Sequence, residues 1–370
     1  MSSDLVVHVD YGSEGSAGLY IERLLGATAA HCETTAYVHR RFPSSRMDPL
    51  VTRLFARFAD RISNKTLNSL YRLIDLYLCL LWLAVKIRWD ARTRRVYVVV
   101  SLFQAFNAYE AFFRLIRSRC HLSVIVHDAV ELKHSYPSFI MSDRDRMLGC
   151  AHRLLVHNKY SVEVMQRLGK PIDMFPFPPM RPVVPGMPTG ARTERRHFVF
   201  VGHLRPEKGV GTLVDCWRRL PNDVRCKGWL TIAGSPAGDT GLDFSELPDS
   251  TVLLGFVEEP AFVKLILEAD YMVFPYRGGT NSGVYSVASS LGRPSITSRI
   301  PVFVQSEFYD ESLSFESEPG LTRLIGALIE DDNALKVHQD RVQSIVGHAN
   351  ENFERFFTER SQFFTPATDR

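Results

Sequence analysis

Cysteine is scarce in this chain and scattered: Cys32, Cys79, Cys120, Cys150, Cys216 and Cys226 are the only six in 370 residues, with no CxxC pair and no Cys/His spacing typical of a metal knuckle. That excludes a disulfide framework and a structural zinc site, and it fits reduced thiols in a cytosolic protein. Long apolar runs are lacking too. The longest, LYLCLLWLAV from Leu76 to Val85, is bracketed by Arg72, Asp75, Lys86 and Arg88, whereas a bilayer-spanning helix needs about 20 apolar residues. The opening MSSDLVVHVD has no basic stretch leading into an apolar one, so it reads as a strand and not as a secretion signal. Nor is the chain short of apolar residues: 45% apolar and 23% charged is the composition of a folded globular protein.

A strong net charge is also missing, since the total is only +3. The charges are unevenly spread, however. Residues 40–95 hold thirteen Lys/Arg against four Asp, a local +9 that leaves −6 for the remainder. Apolar and aromatic residues such as Leu54, Phe55, Phe58, Leu70, Tyr71, Ile74, Tyr77 and Trp82 are interleaved with these cations. That mixture suits an interfacial helix on an anionic membrane surface better than nucleic acid, and no nucleic-acid partner is expected. A core helix with a solvated cationic face is the other reading.

Length alone suggests two domains. Short apolar runs alternate with helical stretches, as parallel α/β units require. In the first half they are residues 5–9, 34–39, 96–100, 122–126, 153–157 and 172–175; in the second, 197–202, 229–234, 251–255, 271–275 and 295–298. Six prolines between Pro176 and Pro188 can continue neither helix nor central strand. The predicted organisation is therefore an N-terminal Rossmann-like domain over 1–175, a linker over 176–196, a second Rossmann-like domain over 197–345 and a C-terminal helical segment over 346–370. Two such α/β domains would face each other across a cleft. The last segment carries Phe353, Phe356, Phe357, Phe363 and Phe364; it packs either on its own domain or back on the first.

Two loops of the second half carry the chemistry. In FVFVGHLRPEKGVGTLVDCW (198–217) a strand ends at Gly202, a turn presents Arg205 and Lys208, and a helix follows. Two cations ahead of a helix N-terminus suit a pyrophosphate, although a solvated turn has the same pattern. In the second loop, Asn281-Ser282-Gly283 opens a helix after a strand that ends at Pro275. Exposed N–H groups there would cap a phosphate oxygen, or simply cap a buried helix. Both loops leave the same edge of one parallel sheet and can converge on one diphosphate.

The segments GHLRPEKGV (202–210), TVLLGFVEEPAFVKLILEADYMVFPY (251–276) and NSGVYSVASSLGRPSITS (281–298), with VIVHDAVEL (124–132) and AHRLLVHNKYSVEVMQRLG (151–169), resemble glycosyltransferase family 4 and its GT-B relatives. The likeness covers most of residues 95–345. It implies a nucleotide-sugar-dependent hexosyltransferase using a UDP- or GDP-sugar as substrate, with no cofactor and no metal. By the same resemblance, Arg205 and Lys208 bind the diphosphate, the backbone of Phe256 and Val257 reads the base, and Asn281, Ser282 and Gly283 cap the phosphate. Tyr276 stacks on base or sugar, or is packed. One departure stands out: the two glutamates that family 4 enzymes carry eight positions apart fall here on Gly279 and Val287. A relative acting on lipid-linked or exopolysaccharide precursors matches better than a strict member.

In the first half, Gly12, Ser13, Glu14 and Ser16 follow the first strand. They either contact the acceptor or donor, or form an ordinary strand-to-helix turn. His127 and Asp128 end the strand LSVIV, where one of them, Asp128 by preference, would take the acceptor hydroxyl proton; ordering of their own loop is the alternative. Glu131 and Glu14 stand in reserve. The expected protein is cytoplasmic or peripheral on the inner face of the membrane, transferring sugar to a lipid-linked or glycan hydroxyl. A nucleotide-sugar epimerase and a non-catalytic nucleotide-sugar-binding subunit are the competing functions.

Overall fold

The computed structural model describes residues 4–12, 16–42, 47–102, 105–129, 140–182, 194–236, 241, 243–279 and 281–365, with the side chains of residues 16, 60 and 65 outside the description. The chain divides into two units, Met1–Pro176 with Asn352–Arg370, and Phe177–Glu351.

The first unit runs β1 (Leu5–Asp10), α1 (Ser16–Ala29), β2 (Glu33–His39), β3 (Val51–Phe55), α2 (Lys65–Asp90), β4 (Val96–Leu102), α3 (Asn107–Ile116), β5 (His121–Val126), α4 (Arg144–Leu148), β6 (Arg153–Val156), α5 (Lys159–Met165) and β7 (Ile172–Met174). Its strands form one parallel sheet in the order β3-β2-β1-β4-β5-β6-β7. β1 and β4 are buried along their whole length, which is why LVVHVD and VYVVVSL are near-continuous apolar runs without alternation. α2 starts at Asn64, whose side chain accepts from the N–H groups of Thr66 and Leu67, and it packs beside α3. The basic segment is therefore not one helix: it holds the edge strand β3, two 3-10 turns and then α2.

The second unit runs β8 (Arg196–Val201), α6 (Val210–Arg219), α7 (Asn222–Arg225), β9 (Gly228–Gly234), β10 (Ser250–Leu254), α8 (Glu259–Glu268), β11 (Tyr271–Phe274), α9 (Gly283–Ser290), β12 (Ser295–Ser298), α10 (Pro301–Val304), β13 (Ser314–Phe315), α11 (Glu318–Glu330) and α12 (Ala334–Glu359). Its sheet is parallel too, in the order β10-β9-β8-β11-β12-β13.

α12 runs unbroken through the boundary at 345/346 expected between the second domain and the C-terminal segment, and its last turns count with the first unit. There Arg23 pairs with Glu354 at 2.9 Å and lies over the Phe353 ring. Arg153 donates to the Phe363 carbonyl at 2.6 Å. Phe353, Phe357, Phe363 and Phe364 are all buried, in an aromatic group that includes Phe175 and meets His8 edge-on through Phe364.

Candidate active site

In the second unit the chain leaves the central strand β8 toward β9 and β10 and then returns to the other side of β8 with β11, β12 and β13. Loops that leave β8 and β11 therefore diverge, and such a switch point in a parallel sheet opens a crevice beyond the carboxyl ends of the strands. The two loops singled out in the sequence are these two. They are tied to each other. The Arg277 N–H donates to the Glu207 carbonyl at 2.8 Å, and the Arg277 guanidinium donates to Thr212 Oγ1 at 2.8 Å, in the first turn of α6. Gly209, at φ +66°, lies so close to Pro275 that a Cβ would drive into that residue's carbonyl oxygen. Only glycine combines that left-handed backbone with that approach.

Cations gather at this junction. Lys208 Nζ sits 3.8 Å from the centre of the Tyr276 ring, and Arg205 lies 3.8 Å from Glu207. His203 is exposed; desolvation, with the nearby Arg205 and Lys208 charges, holds its imidazole below the ordinary value. No side chain caps the start of α6, so its first N–H groups and the positive end of its dipole point toward the same place. An anion is the natural counterpart. The sequence reading named Arg205 and Lys208 and missed His203 and Arg277. A charged residue directly before the Gly278-Gly279 pair was the available signal.

Tyr276 is buried, one face under Lys208, its hydroxyl 3.2 Å from Ser282 Oγ and its carbonyl accepting from Ser298 at 2.6 Å. It is a packed residue that positions its neighbours. Ser282 caps α9 by accepting from the Tyr285 N–H at 3.3 Å, so its hydroxyl already serves the helix. Asn281 and Gly283 stand on either side of that cap. Phe256 follows Gly255 at the end of β10 and is 73% exposed, with Val257 half-buried beside it. The two positions without glutamate have different environments. Val287 is fully buried in α9, and Gly279 has φ +134°, a backbone that a glutamate would strain. This loop is built for glycine.

In the first unit, the ends of β1, β4 and β5 carry a buried polar group. Asp10 is fully buried, and desolvation pushes its carboxyl up to about 8 against hydrogen bonds from Gly12 and Ser101. Tyr20 donates to His157 Nε2 at 2.7 Å, while His157 Nδ1 donates to the Phe175 carbonyl at 3.2 Å. His127 is buried with its ring centre 4.8 Å from that of Tyr20. Burial first, and His157 second, holds His127 well below its usual value. Asp128 is half-buried just beyond, and its backbone carbonyl accepts from Arg144, which also donates to the Ala129 carbonyl at 3.1 Å. Gly12 lies at this edge. Ser13, Glu14 and Glu131 lie outside the described residues, as does the side chain of Ser16. Among the described residues no group of three His, Cys, Asp or Glu is placed to hold a metal.

Comparison with known proteins bears on the second unit first: residues 195–331 match the family Glycosyl transferases group 1. A GDP-mannose:glycolipid 4-beta-D-mannosyltransferase of Xanthomonas campestris pv. campestris is 36% identical over 103 residues, 26% of this chain and 28% of that protein; the likeness thus spans little more than a quarter of the relative. Among solved structures, WaaG, a glycosyltransferase involved in lipopolysaccharide biosynthesis, superposes with a TM-score of 0.59 at 11% identity, covering 98% of this chain and 100% of that one. An E. coli trehalose-6-phosphate structure bound with UDP-2-fluoro glucose gives 0.64 at 10% identity over 99% of this chain and 100% of that one. The sheet that carries the two tied loops therefore lies in the part of the chain that resembles Glycosyl transferases group 1, and the chain as a whole has the two-domain GT-B fold.

Proposed function

We propose that the chain is an enzyme that moves a sugar from a nucleoside-diphosphate sugar to a hydroxyl of a glycolipid or glycan acceptor. The observation that carries this reading is the junction of the β8 and β11 loops, where Lys208, Arg205 and the uncapped start of α6 meet at a switch point. The family of residues 195–331 and the activity of the Xanthomonas relative support it. That relative uses GDP-mannose and a glycolipid, so a GDP-sugar is the first donor to test and a UDP-sugar the second.

In this reading Lys208 and Arg205 hold the diphosphate, with Gly202 leaving room for its approach. Phe256 and Val257 border the base, and the backbone from Asn281 to Gly283 faces a phosphate oxygen. Tyr276 positions Lys208. When the acceptor oxygen bonds to the sugar carbon, the bond from that carbon to the donor phosphate oxygen breaks, and the diphosphate leaves with the electron pair. Cations and helix N–H groups already in place stabilise that charge. The acceptor proton goes to Asp128, with neutral His127 behind it. Gly12 and the loop through Ser13, Glu14 and Ser16 border the acceptor. The enzyme works in the cytoplasm, peripheral to the membrane, where residues 40–95 meet the anionic surface.

The test incubates the protein with GDP-, UDP- and ADP-sugars and a membrane glycolipid extract, and measures nucleoside diphosphate release and labelled glycolipid. Acceptor-dependent release that Lys208→Met abolishes is expected. Conversion of donor to its epimer without acceptor, or binding with no turnover of any donor, overturns the reading.

A further inference from the structure

The helix α2 is apolar on two opposite faces. Its inner face enters the core of the first unit through Leu76, Leu80, Leu83 and Ile87, all buried. Its outer face exposes Leu67, Leu70, Ile74, Leu78, Leu81 and Val85, each at least half exposed. These follow one another at three- and four-residue steps, the period of one helix face. Tyr77, Trp82 and Trp89 widen the stripe, and Trp89 is 64% exposed. At 100° and 1.5 Å per residue, the apolar arc covers about 140° over about 33 Å. Nine large side chains in one strip exceed the roughly 300–600 Å² of the largest apolar patch on a typical monomer.

What surrounds the strip identifies its partner. Residues 57–95 contain nine Lys/Arg against three Asp. Two of those acids face inward or are matched: Asp75 accepts from the Ala56 N–H at 2.6 Å and from the Tyr71 hydroxyl at 3.1 Å, and Asp90 pairs with Lys86 at 3.1 Å. At each end of the strip an arginine lies over an aromatic ring: Arg61 over Phe58 at 5.2 Å, and Arg92 over Trp89 at 4.7 Å. This is how aromatic and cationic side chains divide a lipid boundary, ring in the acyl region and charge at the headgroups. The strip cannot cross a bilayer, because the inner face is committed to the core and no helix among the described residues is long and apolar enough. A second copy of the chain would bring two arginine rims together, and the arc is wider than a coiled-coil seam.

We infer that the outer face of α2, from Leu67 to Trp89, lies in the plane of a bilayer that contains anionic lipid and inserts its apolar side chains among the acyl chains. This narrows the membrane contact of the proposed function from residues 40–95 to one helix face, and it rests on that reading only for its purpose, which is to hold the enzyme where a lipid-linked acceptor presents its sugar. The face itself is a property of the fold.

Co-sedimentation with phosphatidylcholine vesicles, with and without phosphatidylglycerol, tests it. The protein should pellet with the anionic vesicles and be blue-shifted in tryptophan fluorescence. Leu70→Gln/Leu78→Gln/Val85→Gln should weaken binding at least about tenfold with an unchanged melting temperature. Arg61→Gln/Arg92→Gln should reduce the preference for anionic vesicles while leaving residual binding. Unsubstituted protein that ignores anionic vesicles, or a concentration-dependent dimer dissociated by the triple substitution, overturns the inference. Vesicle binding without any sugar transfer would instead count against the enzymatic reading and leave the inserted face standing.

Discussion

Lys208→Met separates binding from folding at the junction of the two loops. Methionine keeps an unbranched apolar stem over Tyr276 and removes only the charge. The Nζ lies 3.8 Å from the ring centre, a contact that at a partly exposed site is worth about 0.5–1 kcal/mol. Stability should therefore fall by less than about 1 kcal/mol. A bound diphosphate loses more. A hydrogen bond to a charged group contributes about 1.5–3 kcal/mol, so the dissociation constant of GDP or UDP should rise roughly 10- to 150-fold. Arg205→Met should cost less, since Arg205 is already shared with Glu207 at 3.8 Å. Calorimetric titration of GDP and UDP into the three proteins, with melting curves alongside, measures both quantities. A Lys208→Met protein that binds both nucleotides as tightly as the parent refutes the assignment of Lys208 to the diphosphate.

Gly209→Ala should destabilise the second unit by at least about 1–2 kcal/mol from its left-handed backbone alone, and it should weaken nucleotide binding further, because the Pro275 carbonyl has to move; melting curves with and without GDP give both. Phe357→Ala removes a buried ring from the aromatic group around Phe175 and should cost about 3–5 kcal/mol, read by urea denaturation. The pH dependence has two arms. Burial holds His8 and His157 at about 3, so between about 6.5 and 3 only the unfolded chain takes up these protons, and stability falls on acidification by roughly 1.4 kcal/mol per unit per histidine. Asp10, pushed up to about 8, keeps its proton in the folded state above the unfolded value near about 3.9, so its contribution falls as pH rises toward 8. Urea denaturation at pH values near 5, 6.5 and 8 should place the maximum near the middle one, and Asp10→Asn should flatten the alkaline arm.

Strands with both faces buried were legible. LVVHVD and VYVVVSL cannot alternate, because helices cover both sides of a parallel sheet. β3 was hidden because it is an edge strand, with Arg53 mid-strand paired to Asp48 at 2.9 Å inside a segment whose charge suggested surface. The boundary expected at 345/346 falls inside α12, which carries Gly347 in mid-helix; Ala349 and Phe353 beyond it are buried, and their packing outweighs the roughly 1 kcal/mol that a helical glycine costs. In the site, glycines and cations at strand ends announced the loops. The knot between them did not, since Arg277 reaches Thr212 across 65 positions of sequence, and no local period records such a contact. Asp10 was overlooked for the opposite reason: it looked like the polar end of a strand, and only full burial reveals its unusual protonation.

The aromatic tail has a consequence for how the protein is made. Phe353, Phe357, Phe363 and Phe364 are buried in the first unit, yet they are made only after the whole of residues 177–351. Residues 177–351, by contrast, form a unit from one uninterrupted stretch of chain. Vectorial synthesis ordinarily lets the N-terminal domain fold first. Here the first unit can bury His8 and Phe175 against Phe363 and Phe364 only after the second sheet has been made.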